Sequence, residues 1–273
     1  MSRLDKLYIG TNTKMYKTIS DTKKYLTQLI EHTKNIDSNN LELFVIPSFP
    51  ALDAAVQATQ DSIISIGAQN ISWEDEGQLT GEVSPLILKE VGVQIVMIGH
   101  SERRHILGES DYDEEKKVAK SSSHGFTTLL CVGETLKQKN YNLCDEVLRT
   151  QIKIGLNSIT SEQAKKHLWI AYEPVWSIGV NGIPANESYV DIKHRVIKDT
   201  LIELFGQEIG SDIPVLYGGS VDYSNAQLFI KMPNIDGLFI GRSAWDPINF
   251  NKIIHSVLPL FIEKKINKEK YND

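Results

Sequence analysis

The sequence predicts an α/β protein, a single-domain (β/α)8 barrel, and three observations carry that prediction. Eight short apolar runs recur along the chain: Leu7–Gly10, Leu41–Ile46, Ile63–Ala68, Gln94–Ile98, Thr127–Val132, Leu168–Tyr172, Pro214–Tyr217 and Gly237–Ile240. They are rich in Val, Ile and Leu without clean alternation, as strands buried on both faces are. Helix-length segments separate most of them, and eight β-α units fit a chain of 273 residues as one barrel domain.

The first run is followed by Thr11-Asn12-Thr13-Lys14-Met15. A doubly wound open sheet would carry a glycine-rich fingerprint at this place, and this is not one. Thr18–Thr33 then reads as a helix, with Ile19, Tyr25, Leu26, Leu29 and Ile30 on one side. After the third run, Ser72–Val83 breaks the pattern. It is polar, contains glycine and lacks helical periodicity, and so long a loop is usually functional or docked on a partner. The fourth run ends in Gly99-His100-Ser101-Glu102-Arg103-Arg104, where Ser101 and Glu102 mark a helix start.

The sixth run delivers Glu173 at its end, and Pro174 stops the strand because it has no N–H to donate. An apolar loop follows with Trp176, Ile178, Gly179 and Gly182, which suits a lid behind a base. Tyr189–Leu204 reads as the next helix, through Val190, Ile192, Val196, Ile197, Leu201 and Leu204. Gly218-Gly219-Ser220 and Gly241-Arg242-Ser243 follow the last two runs. From about residue 264 to 273 the chain is a charged tail.

Composition excludes several classes. Net charge is −6, so there is no broad basic field for nucleic acid or an anionic membrane. No run reaches transmembrane length and no apolar leader opens the chain. Cys131 and Cys144 give neither a disulfide framework nor zinc spacing, which points to a reducing cytoplasm.

In such a barrel, chemistry sits at the C-terminal strand ends. The strand ends bring together Asn12, Lys14, His100 and Glu173, beside two glycine turns suited to phosphate. Each residue also has a bland reading. Glu173 can be a buried strand-end partner of a lysine, His100 a structural histidine, Lys14 a solvated lysine, and Arg103 and Arg104 surface ion-pair partners. No metal site is expected, since His105 is five residues from His100 and no ligand spacing supports it. Neither a nucleophile elbow nor a Walker loop is present.

Seven motifs in order carry a resemblance: Asn12-x-Lys14-Met15, Ala68-Gln69-Asn70, Thr80-Gly81-Glu82, Gly99 to Arg104, Cys131-Val132-Gly133-Glu134, Tyr172 to Gly179, and Tyr217 to Val221. On these the chain resembles the triosephosphate isomerase family, from about Tyr8 to Ile254. The resemblance implies that Glu173 is the base, that neutral His100 polarises the carbonyl, and that Lys14, placed by Asn12, stabilises the enediolate. A glutamate base, a neutral histidine and a closing lid are established for that family. It further implies phosphate held by Gly179, Ser220, Gly241 and Arg242, and no cofactor or metal. Lastly it implies a cytoplasmic homodimer of glycolysis and gluconeogenesis, with Thr80 near the partner subunit's Asn12 and Lys14. The expected reaction interconverts glyceraldehyde 3-phosphate and dihydroxyacetone phosphate.

Four departures bear on the substrate. Thr13 stands where the family typically has Trp, Phe239 where it has Leu, and Arg242 where it has a second glycine. The lid's far end reads Val180-Asn181-Gly182-Ile183-Pro184. Thr13 is expected to add a hydroxyl donor to the pocket and Phe239 to narrow the wall near the base. A paralogue acting on a four-carbon ketose phosphate is therefore the alternative. A sugar-phosphate-binding protein without turnover would be expected to have lost Glu173, and a barrel aldolase would need its Schiff-base lysine inside a strand.

Overall fold

A computed structural model describes residues 3–179 and 182–270. The expectation for the lid's far end falls partly outside it, because Val180 and Asn181 are not among the described residues.

Eight parallel strands form in the expected places: β1 Leu7–Asn12, β2 Leu41–Ile46, β3 Ile64–Ala68, β4 Ile95–Ile98, β5 Thr127–Val132, β6 Leu168–Tyr172, β7 Val215–Tyr217 and β8 Gly237–Ile240. They pair in sequence order and close through β1 on β8, with Gly10 opposite Phe239 and Thr11 opposite Ile240. Helices follow the strands on the outside, as a right-handed crossover between parallel neighbours requires.

Alternation along each strand sorts its residues into two cores. Tyr8, Phe44, Ile46, Ile95, Met97, Leu129, Cys131, Trp169, Ala171, Leu216 and Phe239 pack together inside the barrel. Their neighbours in sequence, among them Leu7, Ile9, Leu43, Val45, Val96, Leu130, Ile170 and Leu238, pack outward in the larger core that the helices share. The interior is a filled layer, not a channel. Gly10 is required there: a Cβ on it would lie 2.4 Å from the Phe44 ring.

The helix Ile19–Thr33 starts where Thr18 caps Asp21 and Asp21 caps back, a reciprocal arrangement that satisfies otherwise orphaned N–H groups. The helix expected over Tyr189–Leu204 runs longer, Glu187–Asp212, with a break at Gly206 (φ 81°, ψ 164°). That positive φ is open to glycine at little cost. The last helix, Pro247–Lys270, continues through the segment expected as a charged tail. Ser72–Val83 contains no helix or strand, and its ends meet through the Ser72 N–H on the Val83 carbonyl at 2.9 Å. Among the described residues no helix is long and apolar enough to cross a membrane.

Candidate active site

The β1 strand runs two residues further than the apolar run suggested, so Asn12 is its last residue rather than a loop residue. Thr13 continues the ladder, its N–H donating to the Ile46 carbonyl at 3.0 Å. Lys14 then takes a left-handed conformation, φ 53°, which a residue with a Cβ adopts only when its surroundings hold it there. The Asn12 side-chain oxygen accepts from the Lys14 N–H at 2.7 Å, and the Gln69 amide donates to the Lys14 carbonyl at 2.7 Å and to the Asn12 side chain at 3.0 Å.

Lys14 Nζ lies 2.5 Å from Glu102 Oε1. Glu102 opens the short helix Ser101–His105, for which His100 is the N-cap. The Glu102 N–H donates to His100 Nδ1 at 3.2 Å. With Nδ1 accepting, a neutral ring carries its proton on Nε2. That nitrogen is 3.6 Å from Glu173 Oε2. Thus Lys14, Glu102, His100 and Glu173 form one connected row across the barrel mouth.

Glu173 is only 4% exposed and its Oε2 has no hydrogen-bond partner. Burial pushes its carboxyl above the ordinary glutamate range, and the nearby His100 and Lys14 oppose that shift in part. Two glycines make room for it. A Cβ at Gly218 would lie 2.7 Å from the Glu173 side chain, and one at Gly133 would lie 2.0 Å from its carbonyl oxygen.

The loop behind the base is anchored at its start. Trp176 Nε1 donates to Glu134 Oε1 at 2.9 Å, and the Ser220 hydroxyl donates to the Ser177 carbonyl at 2.6 Å. Ser177 Oγ also lies 3.3 Å from the Tyr217 hydroxyl and 3.4 Å from the Ser220 N–H. Arg242, on the turn after β8, donates from Nη2 to the Gly179 carbonyl at 3.2 Å. Arg242 and Gly179 are thereby in contact, Ser220 meets Ser177 two residues before Gly179, and Gly241 directly precedes Arg242. Thr80 is exposed on its loop.

Three expectations change. Thr13 is fully buried and its hydroxyl faces no partner, because alternation after inward-facing Asn12 turns it away from the mouth. It offers no donor to a substrate in this arrangement. Phe239 faces the barrel interior and stacks on Phe44 at 5.7 Å, so its ring belongs to the packed interior layer. Arg103 and Arg104 are not solvated surface pairs. Arg104 binds the Gly99 and Cys131 carbonyls and Asp111, and Arg103 pairs with Glu109 and Glu82. Sequence reasoning also missed Glu102, Gln69, Glu134 and Ser177 as site partners. Gln69 follows β3 directly, so the strand-end rule alone could have flagged it. Among the described residues no group of three or more His, Cys, Asp or Glu side chains is placed to hold a metal ion.

Comparison with known proteins decides the family. The model of the triosephosphate isomerase family matches residues 7–257. The chain belongs to the triosephosphate isomerase family. It is an isomerase of the intramolecular oxidoreductase class acting on a small phosphorylated sugar. Among curated relatives, it is 41% identical over 251 residues to the L-erythrulose-1-phosphate isomerase of Rhizobium etli, covering 92% of each chain. It is 40% identical to that of Rhizobium meliloti, over 92% of this chain and 96% of the relative. The enzyme of the same name from Mesorhizobium japonicum is also 40% identical, over 90% of this chain and 95% of the relative.

Proposed function

We propose that this triosephosphate isomerase family member isomerises a four-carbon ketose phosphate of the L-erythrulose 1-phosphate kind, rather than the triose pair. What carries the reading is its similarity, at 40–41% over nine-tenths of both chains, to relatives named for that substrate.

The chemistry of the row fits that substrate without new parts. In a ketose 1-phosphate the carbonyl is at C2 and the next carbon, C3, carries a hydroxyl and a proton. This repeats the triose pattern with one added hydroxymethyl group. Glu173, buried and unsatisfied on Oε2, takes the C3 proton. The electron pair moves to give an enediolate over C2 and C3. Lys14 and the Nε2–H of His100 stabilise the developing oxyanion, as preorganised donors in a dry site do. Glu173 then returns the proton to C2, and His100 carries protons between the two oxygens, so the carbonyl moves to C3. One proton is relocated and no electrons leave the substrate, so the step calls for no cofactor. The same C2–C3 enediolate carries the phosphate on the adjoining C1 and would expel it by forming C1=C2 and breaking the C1–O bond, a loss that the phosphate turns and a closed lid oppose by holding that end still.

In this reading the phosphate sits against Gly179, Ser220, Gly241 and Arg242. The Arg242 guanidinium, already at the mouth, adds a charge-assisted contact. The same reading makes the chain a homodimer through Ser72–Val83 and the loop after β1, where Met15 is 89% and Tyr16 69% exposed. Sedimentation as a monomer at micromolar concentration would contradict that assembly.

The test of the substrate is a pair of steady-state measurements on one preparation, with L-erythrulose 1-phosphate and dihydroxyacetone phosphate. kcat/KM is expected to favour the four-carbon substrate by about tenfold or more, the scale set by one well-placed contact. A preference for the triose would restore the simpler family activity.

A further inference from the structure

The two ends of the site belong to different parts of the barrel. The oxyanion end hangs on the loop after β1, and the phosphate end on the turn after β8. One side chain touches both. Trp245 follows the 3-10 turn Arg242–Ala244 and closes it, its backbone N–H donating to the Arg242 carbonyl at 3.0 Å. Its indole Nε1 donates to the Asn12 carbonyl at 2.9 Å. Its ring packs on Tyr16 with centroids 4.7 Å apart. The turn that carries it is itself fixed, by the Tyr25 hydroxyl on the Ala244 carbonyl at 2.8 Å and the Asn249 amide on the Ser243 carbonyl at 2.6 Å.

We propose that Trp245 is a positioning residue that sets the separation between Lys14 and the phosphate turn, and so the span of substrate the site accepts. The inference rests on the isomerase reading of this site, and it assigns a residue that neither the motifs nor the row of reacting side chains includes. Lys14 holds a left-handed backbone, and Asn12 is the residue that holds it. Asn12 is fixed from one side by Gln69, on the far side of β2. Trp245 fixes it from the other side, and from the phosphate turn itself. A substrate has a set distance from phosphate to carbonyl. A strut between the two loops therefore matters only to a ligand that reaches both.

That distinction supplies the test. Trp245→Phe keeps a ring against Tyr16 and removes the N–H. Affinities are measured for inorganic phosphate, which occupies one end, and for a phosphorylated hydroxamate that mimics the enediolate and spans both. Losing one neutral hydrogen bond of this kind is expected to weaken the hydroxamate about five- to tenfold and to leave phosphate within about twofold. The kcat should fall while KM changes little. Trp245→His, which retains a ring N–H, is expected to recover part of the loss. If Trp245→Phe does not fold, Tyr16→Leu loosens the indole from the side of the loop after β1 and, in protein that sediments as the wild type does, is expected to give the same pattern at about threefold. Equal weakening of both ligands, or an unchanged hydroxamate affinity, would overturn the proposal. The preference of the wild type between three- and four-carbon substrates is read separately, and does not move this comparison. A wild type that binds the hydroxamate no better than phosphate would remove the isomerase reading and the strut together.

Discussion

At the end of β5 the carboxylate of Glu134 is completely buried, and at the end of β6 the carboxylate of Glu173 is buried almost as deeply. The two stand on neighbouring strands, yet their surroundings are opposite. Glu134 accepts from the Tyr172 hydroxyl at 3.1 and 3.2 Å, from Trp176 Nε1 at 2.9 Å and from the Tyr189 hydroxyl at 2.9 Å. Its backbone carbonyl takes the Val175 N–H as well, at 2.9 Å. Glu173 keeps one oxygen without any partner, facing His100. A buried acceptor saturated with donors is a structural joint, since every lone pair it gives up is costly to lose. A buried acceptor left open carries its desolvation cost in the free enzyme and regains it when it takes a proton. Burial alone does not separate the two roles; the count of donors does.

The largest way to break the comparison is to remove the open acceptor. Glu173→Gln keeps the shape and takes away the proton acceptor, and turnover should fall by roughly 10³-fold or more, the scale of a positioned base. Most of the activity surviving in purified protein would make Glu173 structural.

Glu134→Gln should act on the other axis. An amide presents one accepting oxygen where two served, and its NH2 meets donors instead of acceptors. Unfolding free energy should drop by about 1–3 kcal/mol, read from urea midpoints. Because Trp176 is held there, kcat should fall about tenfold at most, far less than for the base. A loss matching that of Glu173→Gln would erase the distinction.

A third buried carboxylate sharpens it. Glu114 has neither oxygen partnered and lies on the outer helix Asp111–Ser123 among Arg104, Glu109 and Lys117. Burial raises it to about 7, with Glu109 adding to the rise and Arg104 and Lys117 opposing it. A carboxyl whose folded value is raised supplies its full stability below the unfolded value, about 4.3, and loses it as pH rises through about 7. Glu114→Gln should therefore gain stability relative to wild type between pH 5 and pH 8, with activity little changed. A flat difference across that window would remove the assignment. Openness without a neighbouring His100 and Lys14 makes a pH-sensitive joint, not a base.

How far the sequence reached follows from the same physics. Strands buried on both faces leave dense apolar runs, so all eight were legible to within two residues. Strand ends are where such a barrel works, so Lys14, His100 and Glu173 could be gathered by position alone. Partnerships were not legible. Glu102 reads locally as a first-turn carboxylate, and only the fold brings it to Lys14. Glu134 sits in a recognisable motif, but its donors come from β6, the lid and the helix Glu187–Asp212. Trp245 meets Asn12 across almost the whole chain. Thr13 was misplaced because the apolar run stops at Gly10 while the ladder continues, and continued alternation turns its side chain outward, on the side of Leu7 and Ile9, away from the barrel mouth.

In the proposed function the open carboxylate of Glu173 moves a proton between adjacent carbons of the substrate. Turnover of L-erythrulose 1-phosphate in D2O, followed by proton NMR, tests it directly. Wild-type protein should place deuterium on the carbon that has received the transferred hydrogen, and Glu173→Gln should place essentially none over the same time. Product formed at the full rate with no deuterium, or exchange undiminished in Glu173→Gln, would contradict the account.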